Sequence, residues 1–393
     1  MTTQTLQTDR DRLQARLPDM VALLKTLVNM DSGSLDVEGV NAVGRVLSER
    51  LSAAGFVVRE RALPVAERGT MLIAEKQGAG KGKLLILGHL DTVWPKGTVA
   101  DWPFQLLDGG LATGPGVGDM KAGLVMALHV LELLAQQNFN DFALIKWVLV
   151  PDEELGSAGS RPLIEEEARD MDTVLVLEPG RPGGGVVTAR GALGVYFIRA
   201  KGCSAHCGND YRKGASAVRE LAIKVAPLDG LSDPDAGAVV NVGVFHGGTA
   251  KQVIPGEAFL NIDLRARTQV KAECLHQAIF DIAGDRVDPR VEVTVEGGLT
   301  RPAYPGAAPN QALMRAMQAM AQELSIPVFE APLANGGSDG NFTAVMGLPT
   351  LDGLGPVSHN ICSRAETMEI QSLVDRGALF CGLIKQLPNL INR

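Results

Sequence analysis

Several apolar runs of the chain end in a side chain that can hold a metal ion. "KLLILGH" finishes at His89, with Asp91 two residues on, so that in extended backbone the two point to the same side. "LIKWVLV" is followed by Pro151 and three carboxylates, Asp152, Glu153 and Glu154, and "TVLVLE" finishes at Glu178. Asp119 sits in the Gly-rich "ATGPGVGDMKAG" just before a helical stretch, and His359 in the Gly/Pro loop "GPVSHN". Each alone has an ordinary reading as a structural histidine, a turn cap or a solvated charge. Together, the ordinary reading would need several anionic ends to converge without a counter-charge, and burying them unpaired is costly. In an α/β sheet such strand ends line the crevice where ligands bind. Divalent metal supplies the missing charge. Two imidazoles and several carboxylates, with no thiolate, suit zinc, or cobalt and manganese as substitutes. The acidic groups exceed what one zinc uses, and a pair of ions sharing one carboxylate would consume them.

The runs that carry these residues are short and continuously apolar, as expected of strands buried on both faces. Between the first two lies the helical "MKAGLVMALHVLELLAQQ". Upstream, Val40, Val43, Leu47, Leu51 and Ala54 recur at helical spacing before Gly55, and "FVVRER" reads as a strand. This alternation predicts an α/β sandwich. The middle of the chain has another rhythm. "GVYFIRAKG" is a strand, Ala215 to Val225 a helix, "AVVNVGVFHGG" and "EAFLNIDLRAR" strands, Val270 to Ile282 a helix, and "RVEVTVEGG" a strand. That βαββαβ order is the ferredoxin-like plan. It predicts an inserted domain over residues 191–302, inside a discontinuous domain of residues 1–190 and 303–393 that "QALMRAMQAMAQEL" resumes. Hinges near Ala189 to Gly194 and Arg301 to Pro305 would let the insert move as a lid.

A length of 393 residues exceeds one ordinary core, and 46% hydrophobic with 21% charged residues reads as soluble and globular. A net charge of −8 without a dense Lys/Arg stretch argues against nucleic acid or an anionic membrane as partner. No stretch is long and apolar enough to span a bilayer. The N-terminus carries charges where a secretory signal needs its apolar centre, and five scattered cysteines form no disulfide framework. A cytoplasmic location is the simplest reading, a trimmed export signal its alternative.

The ordered set "GHLDTV", "GPGVGDMKAG", "PDEELGSAGS", "LEPG" and "SHN" resembles the aminoacylase/carboxypeptidase family of dizinc metallopeptidases, and within it the bacterial glutamate carboxypeptidase branch. The likeness runs from about "LVNMDSGS" to the last helix. It implies a zinc-peptidase-like catalytic domain, with a central mixed sheet flanked by helices, and an inserted domain serving as lid and dimerisation surface. It also implies two Zn2+ per subunit: His89 and Glu178 on one ion, Glu154 and His359 on the other, Asp119 bridging. Asp91 resembles the carboxylate that orients the His89 ring. Glu153 would be the general base that takes a proton from the attacking water and returns it to the departing amine. Family members join Asp119 and Met120 by a cis peptide. His206 in "KGCSAHCG" resembles the histidine that reaches into the partner subunit's site to stabilise the oxyanion, with Cys207 where alanine is common. Arg265 resembles the carboxylate-binding arginine, Gln252 stands where asparagine is usual, and Gly337 and Ser338 match the substrate-lining loop. Arg301 is a weaker carboxylate candidate.

The implied reaction is hydrolysis of an amide next to a free carboxylate, in a small N-acyl or peptidyl amino acid, by a homodimer. Release of a C-terminal glutamate, from folate-like conjugates included, is the first expectation; deacylation of N-acyl amino acids such as acetylated ornithine is the second. One rival comes from the residues themselves. Gly336 to Gly340 fits G-x-S-x-G around Ser338, with Asp352 and His359 following in α/β-hydrolase order. Against it, "EAPLANGG" brings no strand straight into the serine, and the acidic strand ends stay unexplained. "GPGVGDMK" fails as a phosphate loop, because Lys121 precedes no Ser or Thr and Asp119 repels phosphate. Cys203, His206 and Cys207 lack a second cysteine pair for a zinc knuckle. A non-catalytic protein with structural metals is the third class, and Glu153 argues against it.

Overall fold

Strands buried on both faces must lie inside a sheet, and the three runs ending in His89, Val150 and Glu178 do so. In the computed structural model, which describes residues 2–390, a six-stranded sheet has the order Val57–Arg61, Met71–Gln77, Leu144–Val150, Lys83–His89, Thr173–Val176, Thr350–Leu351. The first two pairings are antiparallel and the other three parallel, so the sheet is mixed. Alternation splits each strand between two layers. Leu84 and Ile86 face helices Thr3–Ala15, Leu17–Val28, Val37–Ala53, Ala122–Gln136, Ala308–Glu323 and Ser372–Lys385. Leu85 and Leu87 face helices Arg161–Ala168 and Gly340–Val345. Each such side chain, once fully buried, contributes roughly 1.5–3 kcal/mol. Among the described residues no helix is long and apolar enough to cross a membrane.

Helix Ala122–Gln136 is apolar nearly all round and is buried accordingly. At its start a Cβ on Gly123 would lie 2.5 Å from the Leu177 carbonyl oxygen, so only glycine allows this close approach to the strand end that leads into Glu178. Farther along, His129 is 2% exposed with Nδ1 lacking a hydrogen bond. Burial, then the Arg50 and Arg16 cations, push its pKa down to about 3. The unfolded chain therefore binds the extra proton below pH 6.5, and the native state loses stability as pH falls from there towards 3. At pH 5 the loss is about 2 kcal/mol. Glu366, whose pKa burial raises, gains stability over the same range, so the comparison is between proteins. The change in urea unfolding free energy from pH 7 to pH 5 should be less unfavourable by about 2 kcal/mol in His129→Gln than in the parent, and an equal change in both would assign the pH dependence elsewhere.

The polypeptide divides into two units. The first comprises Met1–Ala189, Gly306–Pro332 and Ser338–Arg393, the second Arg190–Pro305 and Leu333–Gly337. In the second, strands Ala238–Gly247, Glu257–Ala266, Ala192–Lys201 and Glu292–Arg301 form an antiparallel sheet in that order, and helices Ala217–Asp229 and Gln269–Gly284 share its core. In chain order these are βαββαβ. Ser216 and Thr268 cap the two helices through the amides of Arg219 and Lys271. The segment Leu333–Gly337, which the sequence expectation puts with residues 303–393 in the first domain, joins this unit through carbonyls. Ala334 accepts from the Gly191 amide at 3.0 Å, Gly336 from Arg190 Nη1 at 2.9 Å, and Asn335 from Arg265 Nη1 at 3.0 Å.

Candidate active site

Three neighbouring parallel strands end on one edge of the first unit's sheet, and their last side chains meet there. His89 closes its strand, Glu153 and Glu154 open a short 3-10 turn after Pro151, and Glu178 lies just past Val176. Asp119 arrives from the turn before helix Ala122–Gln136, joined to Met120 by a cis peptide. Ligand-capable atoms of His89, Asp119 and Glu154 all lie within 4.8 Å of one another, as do those of His89, Glu153 and Glu178. His89 Nε2 is 3.1 Å from Asp119 Oδ1 and 3.9 Å from Glu178 Oε1.

The three successive carboxylates take separate paths. Asp152 turns into its own loop, accepting from the Gly159 amide at 2.9 Å and from Ser160 Oγ. Glu153 and Glu154 stay at the cluster because their amides donate to Asp91, to Oδ1 at 3.2 Å and Oδ2 at 3.1 Å. Asp91 Oδ2 also accepts from Ser34 Oγ at 2.6 Å. On its other side the Asp91 carbonyl oxygen lies 2.9 Å from His89 Nδ1, and Oδ1 lies 3.4 Å from it. One residue thus ties the imidazole, through its carbonyl, to the acidic turn, through its carboxylate.

The electrostatics show what the cluster needs. Burial opposes a charged His89, but the hydrogen bonds and charges of Asp119 and Asp91 outweigh it and raise its pKa well above the ordinary value. Burial, and then the charge of Asp119, lift Glu154 well above the usual carboxylate range, and Glu154 Oε1 is buried without a hydrogen-bond partner. An orphaned buried carboxylate oxygen among other carboxylates and an imidazole is a donor set that fits divalent cations.

Some residues at the site escape a reading of the sequence. Glu366 is fully buried; its Oε1 accepts from the amides of Gly118 at 2.8 Å and Asp119 at 3.2 Å. Burial raises its pKa to about 7, against the Gly118 hydrogen bond and aided by the charge of Asp119. Cys362 Sγ lies 3.5 Å from Asp119 Oδ2. Glu366 follows no apolar run and belongs to no motif, so only its tertiary partners reveal it.

His359 stands outside both ligand groups: its Nε2 is 2.9 Å from Glu369 Oε1 on the strand Thr367–Glu369 that pairs with its own. The serine-hydrolase rival is corrected outright. Ser338 is fully buried and its Oγ donates straight to Asp352 Oδ2 at 2.5 Å, so no histidine stands between them to act as base. In the second unit, His206 is exposed and its Nδ1 accepts from the amides of Gly208 and Asn209, both at 3.2 Å. The Gln252 carbonyl accepts from the Cys207 amide at 3.0 Å. Arg265 forks the Asp263 carboxylate at 2.6 and 2.8 Å, so as placed its guanidinium is already engaged. Arg301 is 3% exposed, with its side chain against Gly337.

Residues 85–386 match Peptidase family M20/M25/M40. Carboxypeptidase G2 of Pseudomonas sp. (strain RS-16) is 29% identical over 373 residues, which cover 94% of this chain and 89% of that one. A tripeptidase from Staphylococcus aureus superposes with a TM-score of 0.78 at 23% identity, covering 95% of this chain and 99% of its own. The YXEP protein of Bacillus subtilis, a dinuclear metal binding peptidase from the M20 family, superposes at 0.63 with 16% identity, covering 96% and 99%. The two structures share the fold of this chain. The family match encloses every acidic and histidine strand end of the cluster, and the chain belongs to Peptidase family M20/M25/M40 as one of its metallopeptidases.

Proposed function

We propose that this metallopeptidase cleaves an amide next to a free carboxylate, and that its substrates are acyl or peptidyl conjugates ending in glutamate, folate-like ones included. The observation that carries the reading is two ligand-capable groups that share the buried His89, one with Asp119 and Glu154 and the other with Glu153 and Glu178. Similarity to Carboxypeptidase G2 supports the carboxypeptidase direction. His89, Asp119, Glu154 and Glu178 would hold two divalent cations, zinc first with cobalt or manganese as substitutes, and His359 would join them by exchanging Glu369 for metal. Bound there, the ions supply Lewis acidity to the substrate carbonyl.

The chain's own residues do the rest. Asp91 holds the His89 ring and the Glu153–Glu154 turn in register. A Glu153 carboxylate oxygen takes the proton of the attacking water and returns it to the leaving nitrogen. Arg265, exchanging Asp263 for substrate, and Gln252 bind the free carboxylate, Gly337 lines the substrate loop while the buried Ser338 braces it through Asp352, and His206 donates to the oxyanion of a neighbouring copy in a homodimer. The second unit serves as lid and dimer surface of a cytoplasmic enzyme.

The test is a panel of N-acyl and peptidyl amino acids with zinc restored and after chelation. Glutamate release should fall at least 100-fold on chelation and return with zinc, metal content being followed by emission spectrometry. Turnover of acetylated ornithine but of no glutamyl conjugate would transfer the reading to deacylation. Fully metal-loaded protein that hydrolyses neither would remove it.

A further inference from the structure

We propose that Arg364, held in a corner of two indoles at the rim of the acidic cluster, binds a second carboxylate of the substrate. Trp94 and Trp102 meet edge to face, with ring centroids 5.0 Å apart and planes at 80°. The Arg364 guanidinium carbon sits 5.3 Å from each centroid. Both walls are fixed. Trp102 is 9% exposed, and the loop between the indoles is pinned where Asp31 accepts from the amides of Gly97 at 2.7 Å and Val99 at 3.1 Å. Against Trp94, a Cβ on Gly33 would lie 2.3 Å from its carbonyl oxygen.

The corner grows out of the site's own segments. Trp94 follows Asp91 by three residues in the chain that leaves His89. Arg364 lies two residues from Cys362 and two from Glu366, and both of those touch the Asp119 turn. Yet Arg364 is exposed and forms no ion pair or hydrogen bond among the described residues, while Arg50, Arg59 and Arg61 each hold a glutamate. Aromatic faces attract a guanidinium and fix its plane without using its N–H groups. Those donors remain free in that plane, in the fork that suits a carboxylate. The inference rests on the amide-hydrolase reading for the ligand that arrives, since a glutamyl conjugate carries a carboxylate beyond the one beside the scissile bond. That second carboxylate can belong to the amino-acid side chain or to the acyl group.

Two of the chain's three tryptophans form the corner, and the third, Trp147, is fully buried in the core. A ligand-dependent change in indole fluorescence therefore reports the corner, over a constant background from Trp147. Titrating zinc-loaded protein with glutarate should give a saturable change, and Arg364→Met, which keeps the stem over the rings, should need about 10- to 100-fold more glutarate. Arg364→Lys should recover part of the affinity, and both variants should melt with the parent. The kinetic arm compares N-acetylglutamate, N-succinylglutamine and N-acetylglutamine. Arg364→Met should raise KM for the first if the site reads the side chain, or for the second if it reads the acyl group, and leave N-acetylglutamine within about twofold. A glutarate titration unaffected by Arg364→Met, or an equal loss on all three substrates, overturns the proposal. Were none of the three hydrolysed, the hydrolase reading would fail, and the titration alone would still decide the anion site.

Discussion

Glu153→Gln should purify with the parent's metal content and lose about 1000-fold in kcat, within the range that general acid–base groups contribute. The substitution keeps the shape and removes only the proton acceptor. The backbone of Glu153 stays tied to Asp91 Oδ1, so the turn has no reason to move. The measurement also settles a competition visible in the geometry. A Glu153 oxygen lies within one ligand-capable group with His89 and Glu178, so Glu153 could serve as ligand in place of base. Emission spectrometry and kcat separate the two. Lost metal would make Glu153 a ligand, and a kcat within tenfold of the parent would strip it of either role.

The second large effect should come from Asp91→Asn. Asp91 is 1% exposed and its carboxylate accepts from Ser34 Oγ and from the amides of Glu153 and Glu154. An asparagine keeps one acceptor oxygen and turns an NH2 towards a donor, leaving buried N–H groups facing each other. It also removes the negative charge 3.4 Å from His89 Nδ1, which raises the ring's basicity, while the Asp91 carbonyl at 2.9 Å still orients the ring. Zinc affinity, measured against a competing chelator, should weaken about 10- to 100-fold. Unfolding free energy should drop by about 1–3 kcal/mol. Ser34→Ala, which deletes one donor and leaves the charge, should keep zinc affinity within a few-fold. Equal zinc loss in both variants would mean that packing, rather than the Asp91 charge, holds the imidazole.

The parts of this site that could be read from sequence are those attached to regular elements. His89 and Glu178 end continuous apolar runs, and such runs must lie side by side in a sheet, so their ends converge. The βαββαβ order was legible for the same reason, because each element carries its own period. Asp152, Glu153 and Glu154 are indistinguishable in a string of letters; what separates them is a loop that folds Ser160 and Gly159 back onto Asp152 alone. Glu366, Ser34 and the Trp94–Trp102–Arg364 corner owe their roles to partners far away in the chain, which no local period encodes. His359 illustrates the converse. Its motif is clear, but a glutamate on the adjacent strand competes for the ring.

The second unit is made from two separate pieces of polypeptide, Arg190–Pro305 and the short Leu333–Gly337, stitched by Arg190, Gly191 and Arg265 to four main-chain carbonyls. It is therefore no cassette that recombination can lift out at two cut points. A graft from a relative that replaced the long piece alone would leave the donors of one protein addressing the loop of another. The two pieces are a single hereditary package, and chimeras intended to exchange substrate preference should carry both.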